Sequence, residues 1–136
     1  MRLDELFDSP EERWFHAWCL EAKKQGMIND FTYHPKPFVL SDKVVVQVEK
    51  KLKTKTKIVD KFLLHPHTYK PDFRLDISDE FGEDLKKKLR LYYKGLCYID
   101  VKPKFAGIHN NSSVTFPITR KWLWEKHNIF VNVAVP

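Results

Sequence analysis

Few stretches of this chain place charged residues where an apolar strand is expected, and Asp100-Val101-Lys102 is one of them. The acid-x-lysine spacing alone says little, since it recurs at Glu21/Lys23, Glu49/Lys51 and Asp84/Lys86. Context separates the copies. Residues 96–101 read as a strand, and the two-residue period puts Tyr98, Asp100 and Lys102 on one face with Ile99 and Val101 on the other. Charges on the inner face of a central strand are costly unless paired or bound to a metal. Upstream, in Pro71-Asp72-Phe73-Arg74-Leu75, Asp72 faces away from the Phe73–Leu75 side. Two strand carboxylates and a lysine suit phosphodiester hydrolysis. The carboxylates hold Mg²⁺ or Mn²⁺, and the ammonium positions the attacking water or stabilises developing charge. A buried Asp–Lys pair of structural use is the alternative on spacing alone.

The elements that must position these groups are legible in outline. Ser9 caps a helix with Pro10 at its first position and Glu12 completing a Ser-x-x-Glu box. Phe15, Cys19 and Ala22 recur at helical spacing, Trp14, Trp18 and Leu20 widen the apolar face, and Gly26 stops it. Pro35 and Pro37 keep the next segment extended. Within residues 43–64, valines alternate at 44, 46 and 48, and lysines and threonines alternate over 50–57, as in a Lys-rich β-hairpin. A strand follows over 69–77, then a short surface helix over 78–90 with Leu85 and Leu89 at i, i+4. After the strand at 96–101 come a loop at 106–113, a helix at 118–126 and a strand at 129–135. This order predicts a single α/β (α+β) domain over 1–136, its mixed central sheet flanked by helices.

Bulk properties narrow the partners. A net charge of +6 and a pI near 9.3 favour a polyanion, nucleic acid first and an acidic membrane surface second. No run approaches the ~18 apolar residues of a membrane helix, and the acidic opening, Met1 to Leu6, is not expected to be a signal peptide. Cys19 and Cys97 form neither a disulfide framework nor a zinc pattern, and suit two reduced, buried thiols in a cytoplasmic protein.

Together, His67-Thr68-Tyr69-Lys70-Pro71-Asp72-Phe73-Arg74-Leu75 and Tyr98-Ile99-Asp100-Val101-Lys102 resemble motifs II and III of the PD-(D/E)XK nucleases. The likeness is to small phage endonucleases that resolve Holliday junctions and, around Val101-Lys102-Pro103, to the end-cleaving endonuclease subunit of heteromeric bacterial transposases. It implies a restriction-endonuclease-like core, with a catalytic glutamate on the early helix. Ser9-Pro10-Glu11-Glu12 matches that stretch, Glu12 taking the role and Glu11 standing as the alternative. It further implies Mg²⁺ or Mn²⁺ bound by Glu12, Asp72, Asp100 and the Val101 carbonyl, with Lys102 catalytic. The Lys- and Arg-bearing helix at 118–126 and the strand at 129–135 look like the family's closing pair.

Departures are specific. Asp100 stands where Glu is commoner, and the segments at 50–57 and 78–95 look like additions. The transposase subunit's second DNA-binding domain has no counterpart here, which favours the phage type. The resemblance thus implies a metal-dependent DNA endonuclease acting on junctions or branched DNA in a bacterial host's cytoplasm, a two-fold junction implying a homodimer. A transposon-end-cleaving subunit and a non-catalytic nucleic-acid-binding or interaction module are the alternatives.

Lys53, Lys55, Lys57, Lys104, Arg120 and Lys121 are candidate phosphate contacts. His65 and His67 precede Asp72, so either lines the cleft or is a surface residue. His16, one turn beyond Glu12, is expected to support Glu12 or to pack. Trp122 and Trp124 offer rings for base stacking, although Trp122 with Ile118 is expected to be core.

Overall fold

A computed structural model of the protein describes residues 6–103 and 111–136, the side chains of Leu89 and of 111–113 excepted. Helix α1 spans Pro10–Lys24, opened by Ser9, whose hydroxyl accepts from the Glu12 N–H at 3.1 Å. It closes on Gly26 at φ +79°, a left-handed conformation that suits glycine, with the Met27 N–H reaching back to the Ala22 carbonyl at 2.9 Å.

The central sheet is four-stranded and mixed. Strands β1 (Ile28–Tyr33), β6 (Phe73–Ile77) and β7 (Leu96–Val101) are antiparallel neighbours. Strand β8 (Val131–Ala134) lies parallel to β7, reached through helix α3 (Asn111–His127). A parallel pair needs such a crossover. Two further two-stranded sheets pair β2 (Phe38–Ser41) with β5 (His67–Tyr69), and β3 (Val44–Lys51) with β4 (Thr56–Leu64). Short helix α2 (Gly82–Leu89) completes an α+β fold.

Two cores lie on the two faces of the sheet. One gathers Phe15, Cys19 and Ala22 of α1 with Phe73, Leu75, Cys97, Ile99 and Val101. The other gathers Leu40, Tyr69, Leu123 and Val131, with Phe38, Tyr98 and Phe116 against them. Alternation along β7 therefore sends Ile99 and Val101 to one core and Tyr98 to the other, as its period requires.

Several boundaries differ from the sequence reading. The strand expected over 69–77 is two strands in different sheets, broken at Lys70-Pro71-Asp72. Pro71 has no N–H for a ladder, and the Asp72 peptide is used otherwise. Its N–H donates to the Ile99 carbonyl at 3.0 Å and its carbonyl accepts from the His34 N–H at 2.9 Å. Helix α3 begins at Asn111, so 111–113 are helical instead of loop, with Pro117 inside the helix. The rest of the expected loop, 106–110, lies outside the described residues. The last strand is shorter than 129–135, starting after Asn128 at φ 58°. Ile118 is 63% exposed and Trp122 38%, so neither is core, and among the described side chains of that helix Leu123 and Thr119 are the buried ones. Trp14 and Leu20 are likewise exposed instead of extending the buried face of α1. Among the described residues no helix is long and apolar enough to cross a membrane.

Candidate active site

Asp100 lies near the end of β7 and is 7% exposed. Both its oxygens are engaged. Oδ1 is 3.1 Å from the Lys102 ammonium, and Oδ2 accepts from the Tyr69 hydroxyl at 2.6 Å. Burial, reinforced by the Asp100 charge, pushes the Tyr69 phenol far up, so it remains a donor. Lys102 follows the strand, its N–H donating to the Ala134 carbonyl at 2.9 Å. Its ammonium stands 4.4 Å from the centre of the Phe116 ring, a cation–π contact with α3.

Asp72 is placed by the break that the sequence reading missed. With its backbone tied to Ile99 and His34, its Oδ2 accepts from the Val101 N–H at 2.8 Å. Its carboxyl is raised from the ordinary 3.8 to about 7, chiefly by burial. The Val101 N–H opposes the rise, the charges of Asp100 and Glu12 add to it, and Lys102 opposes it. Val101 thus meets Asp72 through its peptide, while its side chain is buried in the α1-side core.

Glu12 is 5% exposed in the first turn of α1, and its charge bears on Asp72. Its Oε2 accepts from the Ser9 hydroxyl at 3.2 Å and its Oε1 lies 3.3 Å from His34 Nε2. Glu11 is half-buried beside it. The fold therefore gathers Asp72, Asp100 and Lys102 around the end of β7 and brings Glu12 within electrostatic reach.

Among the described residues, the one group of three or more such side chains whose ligand atoms all lie within 4.8 Å of one another is a different one, Asp8, Glu12 and His34; Asp72 and Asp100 are not in it. His34 Nε2 is also 3.3 Å from Asp8 Oδ2, and His34 carries φ 53°, an uncommon backbone for a non-glycine residue. A cleft of about 340 Å³ is lined by Asp8, His34, Pro35, Pro37, Lys70, Pro71 and Asp72. Sequence reasoning missed His34, Asp8 and the role of Tyr69. The available signals were a histidine set just before Pro35 and a tyrosine three residues ahead of Asp72.

The remaining candidates are scattered, except Arg120, whose charge bears on Asp100 and Tyr69. Lys53 and Lys55 stand at the turn between β3 and β4 and Lys57 on β4, all exposed. Lys104 lies outside the described residues. Arg120 donates from Nε to the Val131 carbonyl at 2.9 Å and stacks 4.0 Å from the Phe130 ring, which occupies much of its guanidinium. Lys121 is exposed. His67 stacks on Trp122 at 5.1 Å, His65 meets Phe62, and His16 packs among Phe7, Phe31 and Tyr33. Trp124 contacts the Tyr92 ring.

Carboxylate oxygens are the hard donors that Mg²⁺ or Mn²⁺ takes, and Glu12, Asp72 and Asp100 supply them in kind, although they do not converge as closely as Asp8, Glu12 and His34. Compared with protein-family models, curated proteins and solved structures, the chain has no match.

Proposed function

We propose that this protein is a divalent-metal-dependent DNA endonuclease with a restriction-endonuclease-like core, selective for branched or junction DNA. The observation that carries the reading is the gathering of Glu12, Asp72 and Asp100 near the ammonium of Lys102, with Asp72 raised by burial and by its acidic neighbours. Three acids outnumber the two cations that bear on them, Lys102 and Arg120, and a bound cation would relieve the remaining negative charge of a half-dry site. The order of elements supports it as well. A helix bearing Glu12, an antiparallel run bearing Asp72 and then Asp100-Val101-Lys102, a crossover helix and a parallel strand follow the sequence of parts that the resemblance implies.

Glu12, Asp72 and Asp100, with the Val101 carbonyl, would hold Mg²⁺ or Mn²⁺. When bound, such an ion acidifies water and shields phosphate charge. The chain's own groups do the rest. Tyr69 and Lys102 fix both oxygens of Asp100, and the Val101 N–H fixes one oxygen of Asp72, so the acids stand preorganised. Lys102, held between Asp100 and the Phe116 ring, presents an ammonium that steadies charge developing on a phosphate oxygen. Lys53, Lys55, Lys57 and Lys121 supply phosphate contacts on the exposed surface. A junction of two-fold symmetry would be met by a homodimer.

The test is incubation of the purified protein with linear, nicked, flapped and four-way DNAs in Mg²⁺, Mn²⁺ or EDTA. Metal-dependent cleavage of a branched substrate in preference to linear duplex is expected. Intact DNA across the whole panel would replace the reading with a non-catalytic binding module.

A further inference from the structure

The β3–β4 ribbon is an arm. It pairs with itself and joins neither of the other sheets. Its strands of eight and nine residues are exposed or at most half-buried throughout. At ~3.3 Å per residue they extend about 26–30 Å, close to one turn of duplex DNA. Residues 43–64 hold seven lysines and two acids, a net +5 of the whole chain's +6. The charge that first suggested a polyanionic partner is therefore almost entirely in the arm.

The register divides that charge unevenly. Lys50 opposite Lys57, Val48 opposite Val59 and Val46 opposite Lys61 share one face. That face carries three lysines, half-buried valines and no carboxylate. The other face holds Gln47 opposite Asp60, Glu49 opposite Ile58, Lys51 opposite Thr56, and Val45 opposite Phe62. Both of the arm's acids thus lie on one side, leaving the other uniformly basic. The arm also continues the β2–β5 pair, since β3 follows β2 and β4 leads into β5, whose Tyr69 grips Asp100.

We propose that the carboxylate-free face of the ribbon, with Lys50, Lys57 and Lys61 around Val46, Val48 and Val59, is a duplex-DNA-binding surface that lies along the major groove. This rests on the reading that the protein acts on DNA, and assigns the duplex next to the cleaved position to the arm. The major groove admits a two-stranded ribbon. Lysines along both edges of one face meet phosphates, and valine methyls meet the groove floor. The face with Glu49 and Asp60 would set carboxylates against phosphate and is turned away.

The test is fluorescence anisotropy with a labelled linear duplex, in EDTA, across a salt series. Lys50, Lys57 and Lys61→Gln together should flatten the slope of log K against log[salt] by up to about 2.7, at roughly 0.9 per lost phosphate contact. A charge-matched control, Lys24, Lys87 and Lys88→Gln, should leave the slope unchanged. Val48→Asp should weaken binding at least about tenfold, the added carboxylate repelling phosphate on that face. Ile58→Asp, on the other face, should leave binding within about twofold. Equal loss in the two triple variants, or equal loss from Val48→Asp and Ile58→Asp, overturns the proposal. So does an unchanged slope in the arm variant. A change of oligomeric state with Ile58→Asp and none in DNA binding for the arm triple assigns the ribbon to a protein partner and also overturns it. Because EDTA removes cleavage from the readout, arm-dependent binding without any nuclease activity would sink the catalytic reading alone, and cleavage with an unchanged slope would sink the arm alone.

Discussion

Replacing Asp72 with Asn should stabilise the metal-free protein while removing its activity. Asp72 is raised from 3.8 to about 7 by burial and by Asp100 and Glu12. Between those two values the folded chain holds a proton that the unfolded chain has released. Stability therefore falls as pH rises through that window, and the loss is complete above about 7. A difference of that size corresponds to on the order of 4 kcal/mol. Solvent access to this half-buried group reduces it to about 2 kcal/mol. Asn keeps an oxygen to accept the Val101 N–H and carries no charge, so the variant should recover most of that. At pH 8 in EDTA its Tm should rise by roughly 6–8 °C, and at about pH 3 or below, where Asp72 is protonated in both states, the gain should vanish. Mg²⁺ should narrow the gap, because it stabilises the wild-type chain, about 2.7 kcal/mol at a hundredfold excess over Kd, and the variant less. Differential scanning calorimetry at the two pH values, with and without Mg²⁺, reads all of this. An Asp72→Asn variant no more stable than wild type at pH 8 in EDTA would show that the acids are not in mutual conflict, and the inferred need for a cation would lose its basis.

Tyr69→Phe removes the 2.6 Å bond to buried Asp100 and should cost about 1–3 kcal/mol in urea unfolding, with a slower cleavage step. An unchanged midpoint would mean that the bond carries no net stability. Lys102→Ala should lower the single-turnover cleavage rate by about 10²-fold or more, while affinity for DNA and for Mg²⁺ stays within about twofold. Cleavage near the wild-type rate would remove Lys102 from the chemistry. Cys19 and Cys97 are fully buried, and burial pushes both thiols up to about 12, so a thiol reagent should react only after denaturation. Rapid labelling of the native protein would contradict the packing of α1 on β7.

The sequence showed most where one local rule acted alone. Strand β7 was legible because its apolar residues alternate strictly with Tyr98 and Asp100, and the start of α1 because Ser9, Pro10 and Glu12 are cap residues. The ribbon was legible because valines alternate on its first strand. Tertiary arrangement hid the rest. The split between β5 and β6 depends on where the Asp72 peptide finds its partners, Ile99 and His34, both distant in sequence. His34 joins Asp8 and Glu12 only because β1 ends beside the first turn of α1. Helix α3 carries Pro117 inside it, so a pattern that starts after the proline misses its first turns and misassigns its buried side. Asp72, Asp100 and Lys102 were singled out by strand context, and the structure brings the three together at the end of β7. The two partners of Asp100, one on β5 and one just past the end of its own strand, could not both be read that way.

Single-turnover cleavage of a branched DNA against Mg²⁺ concentration, for the wild-type chain and for Asp100→Asn, tests the proposed metal-dependent chemistry most directly. The predicted result is a saturable Mg²⁺ dependence in the wild type, abolished by EDTA, while the Asp100→Asn variant needs far more metal and cleaves about 10²-fold more slowly or not at all. Cleavage that persists in EDTA, or an Asp100→Asn variant with wild-type rate and metal dependence, would contradict it.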